Sequence, residues 1–239
     1  VMRILIVAPH IKIPGLSGAA VHHTEFAKAL ASLGHEVHML VDCKKYSRLS
    51  RKIFLHPSNP FPFPPKRFLT SLYSARKAVE ICVENDIQII HDRCDPGQVA
   101  GYIASKLTGL PRVSEVNENQ LAYEIKGNFI RDVLLYHPLM LFKKFWVARI
   151  TVGADAIVTV SNTIRKSMLR FVDNRKILSI PNGGNPQSSS KPMSLKKFGV
   201  GRSDVVAAIV GELGPRQGIL ELVKFVGDMK MQNFKLILV

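Results

Sequence analysis

The chain has 239 residues, 46% hydrophobic and 21% charged, a globular composition long enough to bury most of its apolar surface in one large domain or one and a half. Its net charge of +15 favours an anionic partner such as phospholipid headgroups or a phosphorylated substrate. Nucleic acid is argued against, because aromatic residues do not interleave with the basic ones and no nucleic-acid motif is present.

In chain order, Arg3–Ala8 is an apolar strand candidate, too short for the apolar region of a secretory signal. After Pro14-Gly15-Leu16-Ser17-Gly18-Ala19-Ala20, the residues Phe26, Ala29, Leu30 and Leu33 recur at helical spacing, and Gly34 ends that helix. Strands are then predicted at Glu36–Val41, Ile53–His56, Ile87–His91, Arg112–Val116, Ala156–Val160 and Ile177–Ile180. Their apolar residues rarely alternate with polar ones, as strands covered on both faces require. Helical patterns fit Lys66–Glu84, Gly97–Leu107, Phe129–Ile150 and Asn162–Phe171, the last with Ser161 as N-cap. Pro57 to Pro65 can enter neither ladder nor helix and reads as a stiff loop, with Phe61 and Phe63 available as the lip of a site.

Strand–helix repetition of this kind predicts an α/β fold, a doubly wound parallel sheet over residues 1–185. Residues 186–204, containing Ser188-Ser189-Ser190 between Pro186 and Pro192, read as a linker. The pattern restarts with strand Val205–Val210, helix Gly218–Asp228 and strand Phe234–Val239. A single β-α-β unit cannot close a core, so residues 205–239 must lean on the first region, pair with another chain or belong to a longer protein; the expectation is the third, the start of a second Rossmann-like domain. Most of the charge belongs to the first region, with 25 Lys and Arg against 14 Asp and Glu up to residue 185 and 8 against 4 beyond it.

The loop after the first strand has no Gly-x-Gly-x-x-Gly, which argues against a nicotinamide dehydrogenase. Instead Ser17-Gly18-Ala19-Ala20 opens a helix, where small residues and exposed N–H groups suit an anion. A second such loop, Gly211 to Gly218, carries Arg216, which could clamp a diphosphate. Adjacent His22 and His23 point about 100° apart on a helix and cannot readily share an ion. With no acidic cluster or metal-ligand spacing, no metal site is expected. Cys43, Cys82 and Cys94 have no metal spacing and cannot all pair within one chain, so a reducing, cytoplasmic setting is the expectation. No stretch is long and apolar enough to span a membrane: Val133 to Val152 is broken by His137, Pro138, Lys143, Lys144 and Arg149. Leu134 to Trp146 mixes apolar and basic residues as an interfacial helix does, which predicts a peripheral contact with an anionic membrane face.

The order of these motifs resembles the retaining nucleotide-sugar glycosyltransferases of family four, with two Rossmann-like domains in the GT-B arrangement. The resemblance rests on Ser17 to Ala20 with Phe26 to Leu30 and Gly34 to Val37, on Leu110-Pro111 and Glu115 to Glu118, on Ala154 to Ser161 with Ile180 to Gly183, and on Gly211 to Gly218. It implies sugar transfer from a UDP- or GDP-type donor to a hydroxyl acceptor, lipid or glycan, with retention and without metal or other cofactor. By the same resemblance, Gly18 and Ala19 approach the donor diphosphate. Asn117, paired with Glu115, contacts the transferred sugar where many members have a histidine. Arg216, Gln217 and Gly218 flank the leaving phosphates. The family's usual basic pair reads here as Glu212 and Gln217, and the usual Asp after the Asn182-Gly183 turn as Asn185. Those departures support an alternative, a non-catalytic nucleotide- or sugar-binding or regulatory module. Under either reading, residues 1–239 alone are expected to be inactive, because the family's paired glutamates for the donor lie past Val239.

Overall fold

A computed structural model describes residues 1–62, 66–95, 98–117, 149–184, 195–201, 203–211, 218–229 and 233–239. Tertiary contacts divide the chain into two units, Val1–Gly183 and Gly184–Val239.

In the first unit the order is β1 (Arg3–Lys12), α1 (Gly18–Ser32), β2 (Glu36–Asp42), β3 (Ser47–Ser50), β4 (Ile53–Pro57), α2 (Lys66–Glu84), β5 (Ile89–Arg93), α3 (Ala100–Thr108), β6 (Arg112–Val116), β7 (Ala156–Thr159), α4 (Asn162–Met168) and β8 (Ile177–Ser179). The strands form one sheet in the order β3-β4-β2-β1-β5-β6-β7-β8. Every pair is parallel except β3–β4. This is the doubly wound parallel sheet expected from the strand–helix repetition.

The period of two along β1 sorts its side chains into separate cores. Ile6 and Ala8 join Val37, Met39, Val41, Ile53 and Leu55 under Ala20 and Ala27 of α1. Leu5 and Val7 face the other way, with Leu40 and Ile90, beneath Ala75, Ala78 and Ile81 of α2 and Ala100 and Ala104 of α3. Burial on both faces is why these strands carry nearly unbroken apolar runs. A third cluster joins Val116, Ile157 and Ile177 to Ile164 and Met168 of α4.

Local chemistry fixes the ends. Ser17 caps α1, its Oγ accepting from Ala20 N at 3.3 Å, and Ser161 caps α4 by accepting from Ile164 N. Gly34, at φ 95°, closes α1 with paired bonds from Gly34 N to Ala31 O and from His35 N to Leu30 O. Several predicted boundaries move: β5 lies at Ile89–Arg93 rather than Ile87–His91, and β4 takes in Pro57 at its end, opposite Val41. α3 begins at Ala100 rather than Gly97 because the Ser71 hydroxyl of α2 accepts from Val99 N and Ala100 N, a cap supplied from a distant helix. α4 stops at Met168 rather than Phe171. β1 runs on to Lys12, past an irregularity after Ala8 that accommodates Pro9. The edge strand β3, Ser-Arg-Leu-Ser, is absent from the sequence prediction because its residues carry no strand pattern. Most of the helix predicted over Phe129–Ile150, and the interfacial stretch Leu134–Trp146 within it, lie outside the described residues; residues 149–152 are helical.

The second unit contains β9 (Val205–Ile209), α5 (Ile219–Asp228) and β10 (Phe234–Leu238), with β9 and β10 parallel in the register Phe234↔Val205. No residue of α5 is buried, as one β-α-β unit without further layers requires. Among the described residues, no helix is long and apolar enough to cross a membrane.

Candidate active site

β1 is the strand from which the chain winds both ways: β2 and β4 lie on one side, β5 to β8 on the other. In open α/β sheets the carboxyl ends of the two strands at such a reversal flank the ligand crevice. Here those ends belong to β1 and β5, and α1 starts immediately beyond β1.

The α1 start is sterically asymmetric. A Cβ on Gly15 would lie 2.5 Å from Lys12 O and 3.2 Å from Ala20 Cβ, whereas one on Gly18 would meet nothing within 4 Å among the described residues. Smallness at Gly15 therefore serves the close return of chain from strand to helix. Gly18 leaves the first turn uncovered. The N–H groups of Gly18 and Ala19 lie in that turn, where no intrahelical acceptor exists and the helix dipole favours negative charge.

One polar cluster centres on Glu115, the second-last residue of β6. Its Oε1 lies 2.9 Å from His22 Nε2 of α1 and accepts a hydrogen bond from Asn117 Nδ2; its Oε2 lies 3.5 Å from His91 Nε2 of β5. Phe26 holds the two rings in place, 4.7 Å from His91 and stacked on His22. Glu115 is 4% exposed. Burial alone would push its carboxyl up, but the His22 contact, the charges of His91 and His22 and the Asn117 hydrogen bond outweigh it and hold the carboxyl at about 2. It is therefore ionised at neutral pH and orients the Asn117 amide. His91 is shifted down by burial, against the pull of Glu115 and Asp92. His23 turns inward, its ring bonded to Ala19 O at 2.8 Å, and burial pushes it down to about 4.

A second cluster lies at the switch point. His10 Nε2 of β1 is 2.7 Å from Asp95 Oδ2, just beyond β5, and Arg93 Nε donates to the same oxygen at 2.8 Å. Asp95 is buried. Burial alone would raise its carboxyl, but the His10 hydrogen bond and the Arg93 charge draw it below its ordinary value.

Of the residues singled out in the sequence, Glu115 and Asn117 meet, and α1, whose first turn holds Gly18 and Ala19, reaches the same carboxylate through His22. Gly218 belongs to the second unit, where it precedes α5 at φ 66°, a conformation that favours glycine. Arg216, Gln217, Glu212 and Asn185 lie outside the described residues. Sequence reasoning missed His10, His22, His91, Arg93 and Asp95 as site residues. The available signal was His91-Asp92-Arg93-Cys94-Asp95, a polar run closing an apolar strand at its carboxyl end. Among the described residues, no group of three metal-ligating side chains converges.

No curated protein matches the chain in sequence. Solved structures do match in fold. Sucrose-phosphate synthase from Thermosynechococcus elongatus superposes with a TM-score of 0.76 at 15% identity, over 99% of this chain and 62% of that one. A glycosyltransferase from Rickettsia africae gives 0.63 at 18% identity, covering 99% and 68%. Anabaena HepE, solved in complex with UDP-glucose, gives 0.66 at 14%, covering 99% and 60%. The fold is thus the Rossmann-like GT-B type, and the chain spans less than two thirds of the synthase it matches. Residues 16–188, well over half of the sequence, match the family described as Glycosyltransferase Family 4, and the chain belongs to that family.

Proposed function

We propose that the whole protein transfers a sugar from a UDP- or GDP-type donor to a hydroxyl acceptor, a lipid or a glycan, with retention of anomeric configuration. The observation that carries this is the ionised Glu115 at the carboxyl edge of the sheet, bonded to Asn117 and beside His22 of the helix whose Gly18 has space around it among the described residues. Membership of the family supports transfer as the reaction. The UDP-glucose bound by the Anabaena neighbour supports the donor class.

In this mechanism residues 1–185 form the acceptor-side domain, 186–204 a linker, and 205–239 the opening of the donor domain. Gly18 and Ala19 meet the donor diphosphate through backbone N–H groups, and Asn117, oriented by Glu115, contacts the transferred sugar. Arg216, Gln217 and Gly218 approach the phosphates from the second domain. Charge growing on the leaving diphosphate is met by N–H dipoles and basic side chains without a metal ion, which is catalysis by positioning and fixed electrostatics. The protein works in the cytoplasm, and its excess positive charge draws it to an anionic membrane face.

The test is a screen of UDP- and GDP-sugars against the native protein from its source cells, with the product anomer read by NMR. Transfer is expected from the native protein and none from residues 1–239 alone. Turnover by residues 1–239 would contradict the division into acceptor and donor halves. Glu212 and Gln217, standing where the family has a basic pair, favour a second reading as a non-catalytic nucleotide- or sugar-binding module. Nucleotide binding without turnover by the native protein would select it.

A further inference from the structure

We propose that the acceptor is an anionic amphiphile, a hydrocarbon chain carrying a phosphate, with Phe61, Phe68 and Leu72 seating the chain and Lys44 and Lys45 drawing the charge. The inference rests on the transferase reading and decides, within it, for a lipid acceptor over a glycan.

The carboxyl edge of the sheet has two unlike halves. Toward β5 and β6 it ends in His91, Asp95, Glu115 and Asn117, groups that suit hydroxyls. The loops that leave β1, β2 and β4 at the same edge are residues 13–17, 43–46 and 58–65. They contain no acidic residue and two basic ones, Lys44 and Lys45, both exposed. Val41 pairs with Pro57, so the β2 and β4 loops emerge side by side.

The start of the β4 loop is fixed by hydrogen bonds. Ser58 N donates to Val41 O, and its hydroxyl donates to Pro9 O of β1, the strand at which the sheet order reverses. From α2, the Ser74 hydroxyl donates to Ser58 O at 3.4 Å, and Thr70 Oγ1 accepts from Phe61 N at 2.8 Å. Ser71 is occupied in capping α3. Ser58, Thr70, Ser71 and Ser74 are thus all buried and already bonded.

What this assembly turns outward is apolar. Phe68 and Leu72 stand one helical turn apart on α2, 37% and 47% exposed, and Phe61 beside them is 39% exposed. A glycan laid there would meet no serine or threonine hydroxyl still available to it among the described residues. A hydrocarbon chain gains by covering such a surface. Charge agrees. Arg76 continues the stripe, but it and Lys77 share Glu80, so the attraction for an anion comes from Lys44 and Lys45, with Asp42 the one acid adjoining them in sequence.

The experiment titrates the native protein by calorimetry with hexyl, octyl and decyl phosphate below their micelle concentrations. Inorganic phosphate is the reference without a chain; octyltrimethylammonium and maltotriose are the controls. Saturable binding of the alkyl phosphates is expected, its affinity rising about two- to fourfold per methylene, since a fully buried one is worth a factor of about four. Phe68→Ser and Leu72→Ser, both at exposed positions, should keep the urea midpoint of the native protein. Each should weaken decyl phosphate about fivefold or more and flatten the chain-length trend, with inorganic phosphate unchanged. Lys44→Glu combined with Lys45→Glu should weaken every alkyl phosphate at low salt and leave the trend intact. Absence of saturable binding, a trend unchanged in both serine variants, or octyltrimethylammonium binding as well as octyl phosphate would overturn the proposal. Maltotriose binding more tightly than octyl phosphate, and lost in the serine variants, would overturn it in favour of a glycan acceptor. These titrations need no turnover, so absence of transfer in the donor screen would overturn the transferase reading separately.

Discussion

Strands β5 and β6 carry two buried charged assemblies a few residues apart, and they are constructed to opposite ends. At the first, Arg112 is 0% exposed and donates from one guanidinium nitrogen to both oxygens of Asp92, at 3.1 and 2.8 Å, and from another to Ile150 O at 2.5 Å. Tyr102 covers the guanidinium, and Gly101 presses so closely that an added Cβ would sit 2.6 Å from Asp92 Cβ. At the second, Glu115 collects His22, His91 and Asn117 from three directions, and ring nitrogens around it lack partners. Burial of charge is common to both. Among the described residues, Arg112 Nε is left without a partner at the first, whereas ring nitrogens of His22, His23 and His91 are left so at the second, and that accumulation marks a place where a ligand can act.

The sharpest way to break this comparison is Arg112→Leu. It leaves the Asp92 carboxylate buried and unpaired, so a stability loss of about 3–5 kcal/mol is expected in urea unfolding. A loss under about 1 kcal/mol would mean the pair is not sealed. The open cluster answers instead to acid. Burial holds His23 at about 4 in the fold, against 6.5 when free, so the unfolded chain binds the extra proton between those values. Stability is therefore full above about pH 6.5 and falls as pH drops toward 4, by up to about 1.4 kcal/mol per pH unit for this group. His23→Gln should flatten that slope; His56, held down to about 4 by burial and by His38, keeps part of it. The smallest effects lie in the turn before α1. Gly15→Ala, on the sealed side, should cost about 1–3 kcal/mol through overpacking. Gly18→Ala, on the open side, should change stability by no more than about 0.5–1 kcal/mol, with donor affinity the property it alters. Comparable destabilisation by both would remove the distinction between them.

Much of this was legible along the chain. The nearly unbroken apolar runs of Arg3–Ala8 and Glu36–Val41 implied strands covered on both faces, and Gly34 and Ser161 marked helix ends by their own backbone and hydrogen-bonding preferences. What the residues do not carry locally is what another element supplies. Ser71 sets the start of α3 from α2, and β3 is a strand because β4 offers it a ladder. The pairing of Glu115 with Asn117 spans two positions and is implied by the family resemblance. His22 reaches the same carboxylate from 93 positions upstream, and His10 lies 85 positions from Asp95. No periodicity reports such distances; they follow only once the order of strands places β1 beside β5.

That order also shapes how the chain is made. The face of the sheet under α1 is complete once Leu55 has emerged, since its core runs from Ile6 to Leu55. The opposite face needs Ala75 to Ala104. At ribosomal speeds of roughly 5–20 residues per second, the intervening stretch of about fifty residues takes roughly 2.5–10 s to translate. For that interval the nascent half-sheet shows Leu5, Val7 and Leu40 to solvent with nothing over them, a window for chaperone capture that closes when α3 arrives.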